Sequence, residues 1–447
     1  MKIKDYINKQ VSIAPLVVFR IIFGIMMASS AIRFWANGWI DTQFIQPTHF
    51  FHYYGFSWVT PLDSTGMYVV FSVMILSALA IAFGAFYRFS ALVYFLTFTY
   101  VELLDVTNYL NHYYFVSLMA FIMIFLPAHR RFSYDVYRNP ETFRSTVSAW
   151  TIDAIKLQLS IVYFYAGIAK LNTDWLFNAQ PLRLWLASRT DLFLIGPLLK
   201  YTWVAFVFSW VGCVYDLVIP FFLVNKKTRI YAYIAVVVFH VVTSILFPIG
   251  MFPYIMILST LIFFSSDFHE KIIIALGRFF SSENLAIEVK RGRINSIPQQ
   301  LIRLGFALFF IFQLIFPFRY AFYKDNLFWT EQGFRFSWRV MLIEKSGSAT
   351  FYVVNPDTNR KIEINNSDYL TPLQEKMMAT QPDLILQYAQ IIKEAFEKKG
   401  FENPAVYVDA YVTLNGRSSQ QYIDPSVDLT KLKDTFASKN WILPFKG

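Results

Sequence analysis

Lys170 ends the apolar run from Ile152 to Ala169, and no other residue of the sequence is better placed to do chemistry. An amine at the end of a membrane-length apolar segment loses part of its hydration, which disfavours the charged form of an amine. A neutral amine can accept a proton and act as a general base. The alternative is a structural lysine whose stem lies along apolar surface while its ammonium group reaches water. Position alone leaves both interpretations open.

Three other polar residues accompany apolar segments in the same way. Asn111 and His112 stand where one such segment begins, and His240 lies inside a later one. Ionisable groups at membrane depth are functional candidates by default. Each of them alone has an ordinary explanation, because Asn111 can cap a helix and a single histidine near a helix end is usually a satisfied interfacial residue. Together with Lys170 they form a candidate site, although periodicity does not show that they meet in space.

Other common chemistries have no motif in this sequence. There is no H-E-x-x-H, no P-loop, no G-x-S-x-G and no dinucleotide fingerprint. His49 and His52 are three residues apart in a loop, which is weak evidence for a metal site. The single cysteine, Cys213, lies inside an apolar segment, so it supports neither a disulfide framework nor a thiolate metal site. We therefore expect no bound metal.

Composition places the chain in a membrane. The 447 residues are 56% hydrophobic and only 16% charged, whereas soluble domains carry about a quarter charged residues. The 48 Phe and 27 Tyr suit a bilayer interior with aromatic belts at its boundaries. The net charge of +10 resides in particular loops, as in a membrane protein. We expect contact with membrane lipids and no nucleic-acid partner.

The elements that position the candidate residues are hydrophobic segments. A transmembrane helix needs about 20 predominantly apolar residues. Runs of about this length occupy 13–35, 66–86, 89–104, 112–127, 152–169, 195–224, 230–247, 251–266 and 301–318. We therefore predict a polytopic α-helical membrane protein with about nine transmembrane helices in a domain at 1–318.

The distribution of cations between the loops predicts the orientation, because cytoplasmic loops carry an excess of lysine and arginine. Loop 36–65 has neither residue, whereas loop 267–300 is basic, and the loops between them mostly alternate. Loop 170–194 departs from this alternation, since it carries Lys170, Arg183 and Arg189. Nine spans put the amino terminus in the cytoplasm and the carboxyl terminus outside it. The four polar residues of the candidate site then share the outer half of the bilayer.

Residues 319–447 have a different character. Alternating side chains predict strands within 334–365 and at 404–414, and 372–399 reads as a helix that ends at Gly400. On the last strand, Tyr407, Asp409 and Tyr411 share one face. We predict a small, strand-rich extracytoplasmic α+β domain.

Several segments of the chain carry a resemblance to a known family. They are Tyr87-Arg88-Phe89, Leu103-Leu104-Asp105, Asn111 to Tyr114, Tyr163 to Trp175, Phe239-His240, Ile249 to Tyr254, Phe336-Ser337-Trp338, Tyr407 to Arg417 and Ile423 to Asp428. Together they resemble the vitamin K-dependent γ-glutamyl carboxylases and their bacterial relatives. The resemblance extends from Val18 to about Leu443.

The resemblance implies a membrane carboxylase, a carboxy-lyase, with a two-stage reaction. The family's lysine, which falls on Lys170, deprotonates a reduced vitamin K such as phylloquinol or menaquinol. The quinol anion reacts with O2 to give a strongly basic alkoxide and ends as an epoxide. That base removes a γ-proton from a protein glutamate on the outer face, and the carbanion adds CO2. The family's quinone-site residues fall on Asn111, His112 and His240.

The resemblance also implies residues for the glutamate substrate. They are Phe334, Ser337 and Trp338. For the substrate carboxylate we add two cations, Arg417 after the 404–414 strand and Arg189 in the loop after Lys170. Arginine suits a carboxylate because its planar donors can grip both oxygens. The sequence departs from the animal enzymes, because a long carboxyl-terminal region is missing and an adjacent lysine pair reads Ala169-Lys170. In addition, a family histidine falls on Tyr320 and a family tyrosine falls on Phe334.

These departures leave three functions open. The leading one couples quinol epoxidation to glutamate carboxylation. The second is a quinol epoxidase or oxidase that has lost carboxylation, since Lys170 is retained while part of the peptide site has changed. The third is a non-catalytic membrane scaffold whose outer domain binds a protein.

Overall fold

The structure is a computed structural model that describes residues 5–6, 9–279, 299–355 and 360–447. Part of the basic loop expected at 267–300 and part of the strand region expected at 334–365 lie outside these described residues.

The first two thirds of the described chain are helical. The helices of nine or more residues are α1 (Ala14–Ala36), α2 (Ser64–Phe83), α3 (Tyr87–Leu103), α4 (Asn111–Phe125), α5 (Ala149–Ala169), α6 (Thr202–Val224), α7 (Arg229–Leu246), α8 (Phe252–Thr260), α9 (Ser266–Phe279) and α10 (Gln299–Ile315). Two short antiparallel strands, β1 (Gln10–Ser12) and β2 (Thr146–Ser148), join the segment before α1 to the start of α5.

Six of the described helices are long and apolar enough to cross a membrane. They cover Ala14–Ala36, Ser64–Phe83, Ala149–Ala169, Thr202–Val224, Arg229–Leu246 and Gln300–Phe322, with mean hydropathies from 1.3 to 2.3. The chain is therefore a multi-pass membrane protein. By this criterion of length and hydropathy, the described residues contain fewer than the nine predicted spans. The spans expected at 89–104, 112–127 and 251–266 correspond to helices of 17, 15 and 9 residues, and a 17-residue helix rises only about 25 Å against a hydrocarbon core of about 30 Å.

A glycine allows a close contact between the two helices that carry the site. A Cβ built on Gly167 of α5 would lie 2.8 Å from the backbone nitrogen of Leu217 on α6. No real side chain fits that distance, so Gly167 allows the two backbones to approach. The end of α5, with Lys170, is thereby brought beside the middle of α6.

The carboxyl-terminal region contains a four-stranded antiparallel sheet in the order β4-β3-β5-β6. Its elements are β3 (Lys345–Val354), β4 (Lys361–Glu363), β5 (Ala405–Leu414) and β6 (Gln420–Gln421), with helices α11 (Pro372–Met378) and α12 (Pro382–Glu397). The strand predicted at 404–414 is confirmed. Alternate residues of β5 are buried under the helices, which leaves Tyr407, Asp409 and Tyr411 on the opposite face.

Two local predictions for this region were wrong. The segment at 334–341 is a series of turns, because Phe336, Trp338 and Met341 have φ angles of 59°, 59° and 57°. Left-handed φ angles are incompatible with a β-strand. The alternating residues of this segment are instead aromatic side chains that pack on α4. The helix expected at 372–399 is two helices, since Pro382 begins a new one.

Candidate functional site

The centre of the site is a buried ion pair between α5 and α6. The Lys170 ammonium donates to Asp216 Oδ2 at 2.7 Å, and both side chains are only 7% exposed. It also donates to the carbonyl of Ala166 at 3.3 Å and lies 5.3 Å from the ring centroid of Trp175. Lys170 therefore keeps its ammonium group away from water, whereas the structural alternative requires that group to reach water.

Asp216 is a site residue that sequence reasoning missed. It stands alone as a carboxylate within the apolar segment Thr202–Val224, and a charged group in such a segment is a functional candidate. That signal was available, but nothing in the spacing of 46 residues tied it to Lys170. The sequence predicts an isolated amine at Lys170, whereas the structure shows a lysine–carboxylate pair.

The pair lines a narrow apolar cavity of about 80 Å³, which we call the inner cavity. His240 lines the same cavity, and its Nε2 lies 3.1 Å from the hydroxyl of Tyr163. The other ring nitrogen of His240, Nδ1, is buried and has no hydrogen-bond partner in the described part of the chain. Most other wall residues are apolar, among them Phe252. The structure thus places Lys170 and His240 in the wall of one cavity.

Asn111 and His112 line a second cavity of about 620 Å³, which we call the outer cavity because the carboxyl-terminal region forms part of its wall. The Asn111 side-chain amide donates to the carbonyl of Arg339 at 2.9 Å and accepts from the hydroxyl of Tyr109 at 3.1 Å. His112 is buried and packs against Tyr113. The start of α4 is thereby fastened to the turns at 334–341.

Phe252 separates the two cavities and lines both. Its ring centroid lies 5.9 Å from the ring of His112 and 5.4 Å from the ring of His240. Ile249, Val340 and Met341 also belong to both walls. The four membrane-region candidates are therefore grouped around one thin partition of side chains.

The candidates from the turn segment have different positions. Phe334 lines the outer cavity. Ser337 is buried, donates to the carbonyl of Gly333 at 2.6 Å and accepts from Arg319 at 3.0 Å. Trp338 is completely buried and stacks on Tyr114 of α4, with ring centroids 5.0 Å apart. Ser337 and Trp338 thus fix the shape of the turns that carry Phe334.

The two arginines proposed for the substrate carboxylate already have partners within the protein. Arg417 binds both carboxylate oxygens of Asp174, with Nη1 at 2.9 Å from Oδ2. Burial raises the pKa of Asp174, but hydrogen bonds from Arg417 and Asn415 outweigh it and leave that pKa below its usual range. Arg189 donates to the carbonyl of Leu246 at 2.5 Å and lies 3.7 Å from Asp191.

His49 and His52, the loop histidines considered as metal ligands, contact the carboxyl-terminal region. Within residues 5–6, 9–279, 299–355 and 360–447, no group of three or more His, Cys, Asp or Glu side chains is arranged to hold an ion. His49 contacts the carbonyl of Tyr369 at 3.4 Å, and the backbone of His52 hydrogen-bonds the side chain of Gln387.

The fold and site define a multi-pass helical membrane protein with a buried lysine–carboxylate cavity beneath a strand-containing carboxyl-terminal region. Residues 8–268 match the family model of the HTTM domain, and residues 298–447 match that of the vitamin K-dependent gamma-carboxylase lumenal domain. The chain belongs to the vitamin K-dependent gamma-carboxylase family. No solved structure matches it significantly. The family implies reduced vitamin K as cofactor and protein glutamate as substrate.

Proposed function

We propose that this protein couples the epoxidation of a reduced naphthoquinone to the γ-carboxylation of protein glutamate, with O2 and CO2 as co-substrates. The observation that carries the proposal is the Lys170–Asp216 pair, buried at 2.7 Å in an apolar cavity that also holds His240. A general base for a lipid-soluble acid needs this combination of a proton acceptor and exclusion of water.

The inner cavity suits the head group of a quinol. Its walls are mainly aromatic and aliphatic, which favours a flat apolar ring. Among the polar groups of its wall, Lys170 carries a donor, and His240 Nδ1 has no hydrogen-bond partner in the described chain. When bound, the reduced naphthoquinone would supply the electrons that reduce O2 and, in the family's reaction, the strong base for the glutamate.

Lys170 and Asp216 act as one unit in this proposal. If the proton between them resides on Asp216, the Lys170 amine is neutral and can accept the proton of the ring hydroxyl. The pair then holds two protons. In water, the charged form of the pair would be favoured. In a cavity of low dielectric constant, the free-energy difference between the charged pair and its neutral form is smaller. His240, held by Tyr163 at 3.1 Å, orients the same ring. Arginine in place of Lys170 stays protonated and cannot perform this step.

The outer cavity is the place for the peptide glutamate. It opens beside the carboxyl-terminal region and contains Asn111, His112 and Phe334 in its wall. The side chains that line both cavities, namely Phe252, Ile249, Val340 and Met341, lie between it and the inner cavity. A glutamate side chain in the outer cavity would therefore be next to the oxygenated ring, while its peptide backbone stays outside.

A quinol epoxidase without carboxylation is the second candidate. It is favoured by the partners of Arg417 and Arg189, because both cations are held by groups of the protein itself. Purified protein incubated with reduced naphthoquinone and O2 tests both candidates together: epoxide is expected, and its absence would favour the non-catalytic scaffold. Mass spectrometry of outer-face proteins then separates the two enzymes, since only the carboxylase adds one CO2 to glutamates.

We further propose that the amino terminus is cytoplasmic and that the 319–447 domain is extracytoplasmic, with the shorter α3, α4 and α8 completing about nine spans. The alternation of basic and cation-free loops supports this orientation. Single cysteines at Ser57 and Ser367 should react with an impermeant thiol reagent in intact cells, and one at Ser145 should not. Labelling at Ser145 without permeabilisation would reverse the orientation.

A further inference from the structure

Arg33 is a cation in the wall of the outer cavity for which the quinol and carboxylase chemistry above has no use. It stands in the last turn of α1, and its guanidinium lies 4.8 Å from the ring centroid of Trp39. It shares the cavity wall with His112. Its Nε is buried and has no hydrogen-bond partner in the described part of the chain.

The second cation in the wall of this cavity, Arg335, is neutralised by a carboxylate. Arg335, also in the wall, binds Asp383 at 2.5 Å, and Lys345 binds the wall residue Glu331 at 2.7 Å. Among the residues that the structure describes, no ion pair involves Arg33. Glu102, in a neighbouring cavity, accepts a hydrogen bond from Ser117 at 3.3 Å instead.

A helix-end arginine has an ordinary explanation that covers part of these facts. A cation in the last turn interacts favourably with the helix dipole, and stacking on a tryptophan adds a modest gain. Neither effect provides a hydrogen-bond acceptor for the buried Nε. A buried donor without an acceptor is costly, and more so when it is charged. An anion that enters the cavity would remove that cost.

We propose that Arg33 binds a carboxylate-type anion in the outer cavity, supplied by the glutamate side chain of the substrate or by bicarbonate. The guanidinium offers planar, paired donors that match a carboxylate in two-point contact. The inference deepens the proposed function and rests on it for the identity of the ligand. The binding of an anion at Arg33 can nevertheless be observed without any turnover.

The test compares purified wild-type protein with Arg33→Gln and Arg33→Lys in detergent. Thermal unfolding is recorded against increasing concentrations of an N-acetylated, C-amidated glutamate peptide, its glutamine counterpart and sodium bicarbonate, at constant ionic strength. Lys200→Gln is the matched control, because Lys200 is an exposed cation in the loop before α6. If Arg33 grips a carboxylate, the apparent Kd for that ligand rises about 10- to 100-fold in Arg33→Gln, partly recovers in Arg33→Lys and is unchanged in Lys200→Gln.

The outcomes separate the sources and the hypotheses. A loss confined to the glutamate peptide assigns the site to the substrate, and a loss confined to bicarbonate assigns it to the co-substrate. Equal stabilisation of wild type and Arg33→Gln by every ligand overturns the inference. Epoxide formation without peptide is measured on the same preparations. If no preparation forms epoxide but the anion effect persists, the proposed function fails while the anion site stands.

Discussion

Two ion pairs lie at the two ends of one short loop, and their surroundings differ. At the end of α5, Lys170 pairs with Asp216, and the side chains are 7% and 7% exposed. Four residues later, Asp174 pairs with Arg417, whose side chain is 29% exposed. The first pair lines the inner cavity. The second joins the loop to the turn after β5 and is reinforced by Asn415 at 2.8 Å.

The contrast indicates a division of tasks. A buried pair in the wall of an apolar cavity can exchange a proton with a ligand, whereas a pair bound by several hydrogen bonds at a junction holds two regions in register. Removing the first should therefore stop chemistry, and removing the second should alter how the carboxyl-terminal region meets the helices.

Replacement of Lys170 should have the largest effect. Lys170→Ala should lower quinol epoxidation about 10²–10⁴-fold, the usual contribution of a positioned general base. Lys170→Arg keeps a cation for Asp216 but should not restore activity. Lys156→Ala is the matched control, since Lys156 lies on the same helix and pairs with Asp153. Epoxide formation per enzyme is the measurement, and normal rates in Lys170→Ala would return this residue to a structural role.

Asp216→Asn should reduce epoxidation less than Lys170→Ala and should cost about 3–5 kcal/mol of stability, because it leaves a buried charge without its partner. The double variant Lys170→Met, Asp216→Leu separates the two effects. It replaces the pair by apolar groups of similar size, so it should regain much of the thermal stability. It should remain inactive. If the double variant recovers epoxidation, the pair only supports the fold.

Arg417→Ala and Trp338→Ala should weaken glutamate carboxylation about tenfold or more while epoxidation without peptide continues. Both products are assayed on one preparation. The charge swap Arg417→Asp with Asp174→Arg sharpens the result, because recovery of carboxylation in the swap would show that Arg417 acts through its junction with Asp174. Equal loss of both activities in the single variants would mean that the carboxyl-terminal region shapes the quinol site itself.

Acid should weaken the pairs of the carboxyl-terminal region. Burial raises the pKa of Asp383, but Arg335 outweighs it and lowers that pKa from the usual 3.8 to about 2. A carboxyl with a depressed folded-state pKa stabilises the fold above pH 3.8, and this contribution, about 2 kcal/mol, is lost as the pH falls towards 2. Thermal unfolding between pH 5 and pH 2 should therefore vary less in Asp383→Asn than in wild type.

Asp325→Asn is the control for this pH series, because Asp325 is exposed. Its pH dependence should match that of wild type. A wild-type profile that is flat from pH 5 to pH 2 would contradict the assignment of this stabilisation to the Arg335–Asp383 pair.

Much of the architecture follows from local patterns. Long apolar segments gave the helices around Lys170 and His240, and strict alternation gave β5. The turns at 334–341 did not follow, because their alternation has the period of a strand while the left-handed φ angles of Phe336 and Trp338 depend on packing against α4. The spacing of apolar residues indicates which side chains are buried. It does not indicate which element of the structure covers them.

The candidate site could be predicted from the sequence only in part, for the same reason. Lys170, His112 and His240 are unusual in apolar surroundings, and each could be identified alone. The partner of Lys170 could not, because Asp216 meets it through a close helix contact at Gly167 that has no sequence period. The same limit applies to Arg417, whose type suggests a carboxylate ligand but whose ligand proved to be Asp174.

The central claim is that Lys170, within its pair with Asp216, accepts a proton from a reduced naphthoquinone. The most direct measurement quantifies epoxide and γ-carboxyglutamate in the same reaction, with O2, labelled CO2 and a glutamate peptide, for wild type and Lys170→Arg. Thermal unfolding of both preparations establishes that each is folded. The account predicts both products from wild type and neither from Lys170→Arg. Epoxide from folded Lys170→Arg at the wild-type rate, or none from wild type, would contradict it.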